Sequence, residues 1–366
     1  MKSIIIAATI AGVLATPALA DMTIGWAGPV TGGSAAVGEQ NLNGVKQAIE
    51  DINAAGGILG EKILLQTEDD GGDPKQAVSV ANRLAASGIK FVIGHQNSGA
   101  SIPASDVYAE NGMFQITPAS TNPKLTERGL WNTFRTCGRD DQQGTVAGNY
   151  LIKNFTGKNV FIVHDKTPYG QGLAEEVKKS INAGGLTETG YEGITVGDKD
   201  FSALIAKIKE TKADVVYFGG VYTEGGLILR QLRDQGVKTP MIGGDAMFSS
   251  EFAAIAGPEA DGTLITFGPD ARQNPAAAEV VKRFSGKKID PEGFTLYGYV
   301  AMQVIAAGIK EAGSADPQIV ADKLHGGLKV DTVIGPLSYN EKGDITRLDF
   351  VFYELKGGKF EQKNAE

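Results

Sequence analysis

The sequence predicts an α/β protein of two domains, each a mostly parallel sheet flanked by helices. Three observations carry that reading. The chain has 366 residues, and at roughly 100–200 residues per domain this suggests two separate cores. Short apolar runs alternate with amphipathic stretches of roughly 10–15 residues, the pattern of βαβ units. Glycine supplies 49 of the residues, near twice its usual ~7% share and without a collagen-like period, so many tight turns are required.

Met22–Ala27 is an apolar strand that breaks into the loop Gly28-Pro29-Val30-Thr31-Gly32-Gly33. From Gly38 the spacing turns helical, with Leu42, Val45, Ala48, Ile49 and Ile52 on one face, and the helix stops at Gly56-Gly57. Ile63–Gln66 reads as the next strand, and Asp73-Pro74 as an N-cap followed by proline at the first helical position. The stretch Ala77–Ala86 continues that helix, and Phe91–Gly94 is a buried strand. The alternation recurs in Val160–His164, Leu173–Ile181, Phe201–Lys209, Val215–Phe218, Leu227–Gln235 and Met241–Gly243. Asp349–Leu355 alternates in hydrophobicity, Lys356-Gly357-Gly358-Lys359 turns, and Phe360–Lys363 returns, a hairpin suited to a sheet edge. No repeat of fixed period is present, so a solenoid is excluded.

Met1–Ala20 has a basic start at Lys2, an apolar run from Ile4 to Leu14 and the site Ala18-Leu19-Ala20. That is the pattern of a cleavable secretory signal, leaving Asp21 as the new N-terminus. The run is short of the ~20 residues that span a bilayer, and no later run approaches that length, so an exported soluble protein is expected. Hydrophobic residues make up 42% and charged residues 21%, ordinary for a globular chain. The net charge of −8 with no basic block argues against nucleic acid or an anionic membrane as partner. Cys137 is the single cysteine, so no intramolecular disulfide and no cysteine-rich zinc site can form.

Signatures of chemistry are mostly missing. The dinucleotide, P-loop and nucleophile-elbow glycine motifs are absent, and His95, His164 and His325 are scattered without a zinc-protease pattern. Asp69-Asp70 and Asp140-Asp141 read as loop solvation and helix capping rather than metal ligands, since neighbouring side chains in a strand face opposite ways. No metal or cofactor is expected. Cys137 reads as a small buried residue. Ser98, three residues after His95, leaves open a secreted hydrolase, although no acid completes the set.

Two loops that follow strands are rich in hydroxyls: Asn97-Ser98-Gly99-Ala100-Ser101 and Thr117-Pro118-Ala119-Ser120-Thr121. In an open α/β sheet, ligands bind beyond the carboxyl ends of the strands, where helix N-termini attract anions. These loops therefore suit a carboxylate cradle without arginine, or serve as helix caps. Asp245, just after Met241–Gly243, is either a cap or the partner of a buried ammonium group.

At these residues the chain resembles the leucine/isoleucine/valine-binding proteins of branched-chain amino-acid ABC transporters. The segments that carry the likeness include GVKQAIEDINAAGGILG, DPKQAVSVANRLAASGIKFVIGH, TPASTNPKLTERG, DKTPYGQGLA, DKDFSALIAKIK and VIGPLSYNEKGD. The resemblance implies a type I periplasmic-binding fold of two α/β lobes joined by three crossing strands. One lobe would be residues 21–139 plus 269–347, the other 140–268 plus 348–366, with 1–20 the signal. It implies a monomer in the periplasm that binds an amino acid by hinge closure and delivers it to an inner-membrane permease. Carried over by motif, Ser98 and Thr121 with the Ser120 backbone would hold the α-carboxylate. The Ala119 carbonyl, the Thr121 hydroxyl and Asp245 would hold the ammonium group. Tyr169 and Tyr222 would come from the second lobe, and Tyr297 would look into the cleft. Three departures follow from the same likeness: the family's disulfide positions are Gly72 and Asn97, a large aromatic is replaced by Val37, and an ammonium-binding Glu by the shorter Asp245. They widen the expected ligand set to alanine, proline or an ω-amino acid such as γ-aminobutyrate. A sensor subunit that presents an amide to a receptor is the competing reading of the same cleft.

Overall fold

The computed structural model describes residues 21–347 and 350–363. The secretory signal expected at 1–20 therefore lies outside the described residues. Among the described residues no helix is long and apolar enough to cross a membrane.

Two sheets organise the chain. The first contains β1 (Met22–Gly28), β2 (Ile63–Asp69), β3 (Phe91–Gly94), β4 (Phe114–Thr117) and β5 (Thr133–Arg135), all parallel, in the order β2-β1-β3-β4-β5. The second contains β6 (Val160–His164), β7 (Gly190–Gly193), β8 (Val215–Gly219), β9 (Met241–Gly243) and β10 (Leu264–Phe267). A short antiparallel pair, β11 (Val330–Thr332) and β12 (Gly335–Leu337), stands apart. The hairpin β13 (Val351–Lys356) and β14 (Lys359–Gln362) completes the second sheet, in the order β14-β13-β10-β9-β8-β6-β7. As the alternation predicts, this hairpin forms the edge, antiparallel to β10, and turns on Gly357 and Gly358, both at positive φ.

The inner strands β3, β4, β6, β8 and β10 are buried along their whole length because helices cover both faces of each sheet, whereas the edge strands β2, β7 and β14 are partly exposed. Ala77, Val80 and Leu84 of the helix Pro74–Ala86 pack with Ala100, Ala104 and Tyr108 of the helix Ser98–Glu110. Asp73 caps the former through Lys75 and Gln76 N–H, both at 2.9 Å, with Pro74 at its first position. The helices Ala35–Ala54 and Thr295–Ala312 cross on the other face at near backbone contact. A methyl on Gly44 would overlap the Thr295 carbonyl oxygen, and one on Gly298 the Asn41 carbonyl oxygen. On the second sheet, Gly144 and Gly148 of the helix Asp140–Phe155 allow a similar approach to Glu176 and Ser180 of the helix Pro168–Ala183.

Two aspartates depart from the capping and solvation expected of them. Asp69 does anchor the β1 loop, accepting from Val30 N–H at 2.8 Å and the Thr31 hydroxyl at 2.7 Å. Asp70, however, is fully enclosed and faces His95 Nδ1 at 2.6 Å. Asp140 is also fully buried, whereas Asp141 does pair with Arg139 at 2.8 Å. Hydropathy marks every aspartate as polar and cannot show which neighbour in a pair turns inward.

Candidate functional site

In both sheets the chain runs outward from its first strand and then returns to that strand's other side. β1 lies between β2 and β3, and β6 between β7 and β8. Each arrangement is a topological switch point, where the loops beyond the carboxyl ends part and leave a crevice. Register fixes those ends together, with Gly28 opposite Asp69 and Ala27 opposite Gly94.

A cavity with about 280 Å3 of empty space sits where the two crevices meet. Ser34 and Val37 reach it from beyond β1, Gln96, Asn97 and Ser98 from beyond β3, and Ala119 from beyond β4. Tyr169 comes from beyond β6, Val221 from beyond β8, and Asp245 and Ala246 from beyond β9. Phe294 closes one side. The two halves also bond directly near the cavity. Thr223 donates its hydroxyl proton to the Gly33 carbonyl at 2.6 Å, and Ala36 N–H donates to the Tyr222 hydroxyl at 3.2 Å.

One pole of the cavity offers donors. Ser98 opens the helix Ser98–Glu110 and lines the cavity, so the positive end of that helix lies at the wall. The Ser98 hydroxyl oxygen accepts from Asn122 N–H at 3.3 Å, which leaves its own proton to give. The opposite pole offers acceptors. Asp245 is 3% exposed, and its Oδ1 accepts from the Tyr169 hydroxyl at 2.8 Å and from Gln143 Nε2 at 3.2 Å. Burial pushes the Asp245 carboxyl up to about 6, against the pull of these two donors. The Thr121 hydroxyl is buried with no partner. Donors on one side and acceptors on the other suit a small zwitterion.

Of the residues singled out from the sequence, the structure brings Ser98, Ala119, Tyr169 and Asp245 to the cavity wall, and Val37 with them. Ser120 turns its hydroxyl away, toward Ser101 at 2.6 Å and the His95 carbonyl at 3.2 Å, and its own carbonyl accepts from Arg135 at 2.6 Å. Tyr222 serves as the latch to Ala36, one residue past the wall-forming Val221. Tyr297 does not line the cavity: its ring stands edge-on to Phe267 at 5.5 Å and borders a separate pocket with Arg272 and Tyr353. It lies on the first helical turn of Thr295–Ala312, where Phe294 takes the inward position.

Sequence reading missed Gln143, Gln96 and Phe294, while Asn97 belongs to the loop singled out after β3. Gln143 lies in a helix interior that carries no motif, and only its bonds to Asp245 and to Thr266 of β10 reveal its role. His95 does not serve Ser98, because its two ring nitrogens face Asp70 at 2.6 Å and Tyr108 at 2.9 Å. The Cys137 thiol, pushed up by burial, rests on the Ser120 carbonyl. Gly72 and Asn97 do lie side by side, with a Cβ on Gly72 placed 3.4 Å from Asn97 Oδ1. Among the described residues no cluster suited to a metal ion is found.

A family model described as periplasmic binding protein matches residues 21–359. Leu/Ile/Val-binding protein homolog 1 of Brucella melitensis is 56% identical over 93% of this chain and 92% of its own length. A Leu/Ile/Val-binding protein of Rhizobium johnstonii is 50% identical, over 93% of each chain. Among solved structures, a leucine-binding protein of Thermotoga maritima superposes with a TM-score of 0.88 at 27% identity, covering 94% of this chain and 98% of that one. The substrate-binding protein of a branched-chain amino-acid transporter of Streptococcus pneumoniae, solved with isoleucine, gives a TM-score of 0.85 at 26% identity over 93% and 98%.

Proposed function

The chain belongs to the periplasmic binding protein family, and we propose that it is the substrate-binding component of a branched-chain amino-acid ABC transporter. It works by binding and carries out no chemistry. The observation that supports this most is the two-pole cavity: the Ser98 hydroxyl and its helix N-terminus at one end and Asp245 at the other, with the unpartnered Thr121 hydroxyl buried just after the wall residue Ala119 in sequence. A ligand α-carboxylate takes the first pole, with Ser98 and the backbone at Ala119 and Ser120. The ammonium group takes the second, with Asp245, Thr121 and the Ala119 carbonyl. Tyr169 orients Asp245 and walls the cleft beside Val221, while Tyr222 and Tyr297 act outside the ligand shell.

The two bodies that close are residues 21–139 with 269–347, and 140–268 with 348–366. Closure removes the zwitterion from water and makes the bonds Thr223–Gly33 and Tyr222–Ala36. The mature protein acts as a periplasmic monomer and hands its ligand to an inner-membrane permease. Val37 and the short reach of Asp245 support a ligand set wider than leucine, isoleucine and valine, extending to alanine, proline and γ-aminobutyrate.

Calorimetric titration of ligand-stripped mature protein tests this. Micromolar binding of aliphatic amino acids, about −8 kcal/mol, is expected. Binding of neutral amides with no response to any amino acid would sink the transport reading in favour of a sensor. Leucine binding with silence toward alanine, proline and γ-aminobutyrate would remove the wider ligand set alone.

A further inference from the structure

Asp140 opens the helix Asp140–Phe155 and is fully enclosed, yet the donor beside its carboxylate, the Thr121 hydroxyl, reaches neither oxygen in good hydrogen-bond geometry. Its backbone N–H donates to the Thr121 carbonyl at 2.9 Å, and the Thr121 hydroxyl, itself without a partner, lies beside its carboxyl. One turn further along, Gln143 donates to Asp245 while its own Oε1 has no partner. Buried polar atoms are almost always matched. Here the unmatched ones are carboxylate, amide and hydroxyl oxygens gathered next to Asp245, and they call for a group with several donors.

Among the described residues nothing supplies that group. Arg135, the one cation among the fully buried described side chains, is engaged by Asp344 at 2.7 Å and by the Ser120 carbonyl at 2.6 Å. Asp141 turns to Arg139. The remaining neighbours whose charge bears on Asp140 are Asp245, Cys137, Tyr169 and Tyr217, none of which is a cation.

We propose that Asp140 is a second acid of the ammonium site, so that the ligand's cationic nitrogen is held by Asp245 and Asp140 together with Thr121. This rests on the amino-acid reading above. Burial, and then the charge of Asp245, raise the Asp140 carboxyl well above the usual carboxylate range. Two enclosed acids with no cation between them keep a proton. The arriving ammonium expels that proton to solvent, so binding releases protons and weakens as pH falls.

The test titrates leucine into stripped wild type and Asp140→Asn at pH 6 and pH 7.5, in buffers of different protonation enthalpy. Wild type is expected to release a substantial fraction of a proton per leucine at pH 6. The isosteric variant should bind leucine at least tenfold more weakly and release less, with a flatter pH profile. Its affinity for 4-methylpentanoate, which lacks the ammonium group, should not fall. A folded variant that matches wild type in affinity and proton release overturns the proposal. If the variant fails to fold, the wild-type proton count decides, and leucine binding without release overturns it. A wild type that binds no amino acid defeats the transport reading itself, an outcome distinct from these.

Discussion

Replacing Asp245 by asparagine separates two effects that the native side chain combines. Asparagine keeps an oxygen that can accept from Tyr169, a bond of 2.8 Å in the native protein, while it removes the charge and replaces the second oxygen by an amide donor. In the empty protein that charge is a burden. The carboxyl moves from 3.8 to about 6, chiefly through burial, and at ~1.36 kcal/mol per unit this amounts to about 3 kcal/mol against the folded state. A carboxyl raised on folding binds more protons folded than unfolded. The burden is therefore fully present above about pH 6, and it fades as pH falls toward 3.8. In the proposed complex the same charge would face an ammonium group away from water, where losing one partner costs roughly 2–5 kcal/mol. Urea unfolding of the stripped variant should show a gain of up to about 3 kcal/mol at pH 7.5 that shrinks toward zero near pH 4. Calorimetry at pH 7.5 should show leucine affinity lower by roughly 30-fold to several thousandfold. A variant that binds leucine like wild type, or that is less stable than wild type when empty at pH 7.5, would refute the assignment.

Three further substitutions follow from the geometry. Thr121→Val removes a buried hydroxyl that has no partner in the empty protein, so unfolding curves should barely move while calorimetry reports about 1–3 kcal/mol less affinity. Thr223→Val removes the 2.6 Å bond to the Gly33 carbonyl across the cleft; stopped-flow should show release several times faster, about 1 kcal/mol, with association nearly unchanged. Gly44→Ala, at an ordinary helix position, would gain up to ~1 kcal/mol. Here the new methyl meets the Thr295 carbonyl oxygen, so thermal unfolding should instead show a loss of about 3 kcal/mol or more.

The strands were legible because apolar runs bounded by glycine leave little choice at that length, and the Asp73-Pro74 cap because its chemistry is local. Helix ends were less so. The stretch from Leu227 begins at Tyr222 in the structure, since the first turn carries Gly225 and Gly226, which pack on Phe218 and Ile255 and show no amphipathic pattern. Ser98 and Asp245 could be found from position alone, each just past a strand. Asp140 and Gln143 could not, because their meaning depends on which helix face turns toward Asp245, a relation between segments about a hundred residues apart. Tyr297 shows the opposite failure: an aromatic next to the cleft was visible, but its neighbour Phe294 takes the wall.

The close crossing of Ala35–Ala54 with Thr295–Ala312 also bears on the time course of folding. Gln40 bonds to the Phe294 N–H, a partner 254 residues away. Until the ribosome has delivered that second helix, the side of Ala35–Ala54 that carries Val45 and Ile49 lacks part of its cover. Pairings this distant in sequence form slowly, and a half-made chain with exposed apolar surface is prone to aggregate. Truncation before about residue 312 should then yield not a smaller domain but an insoluble one.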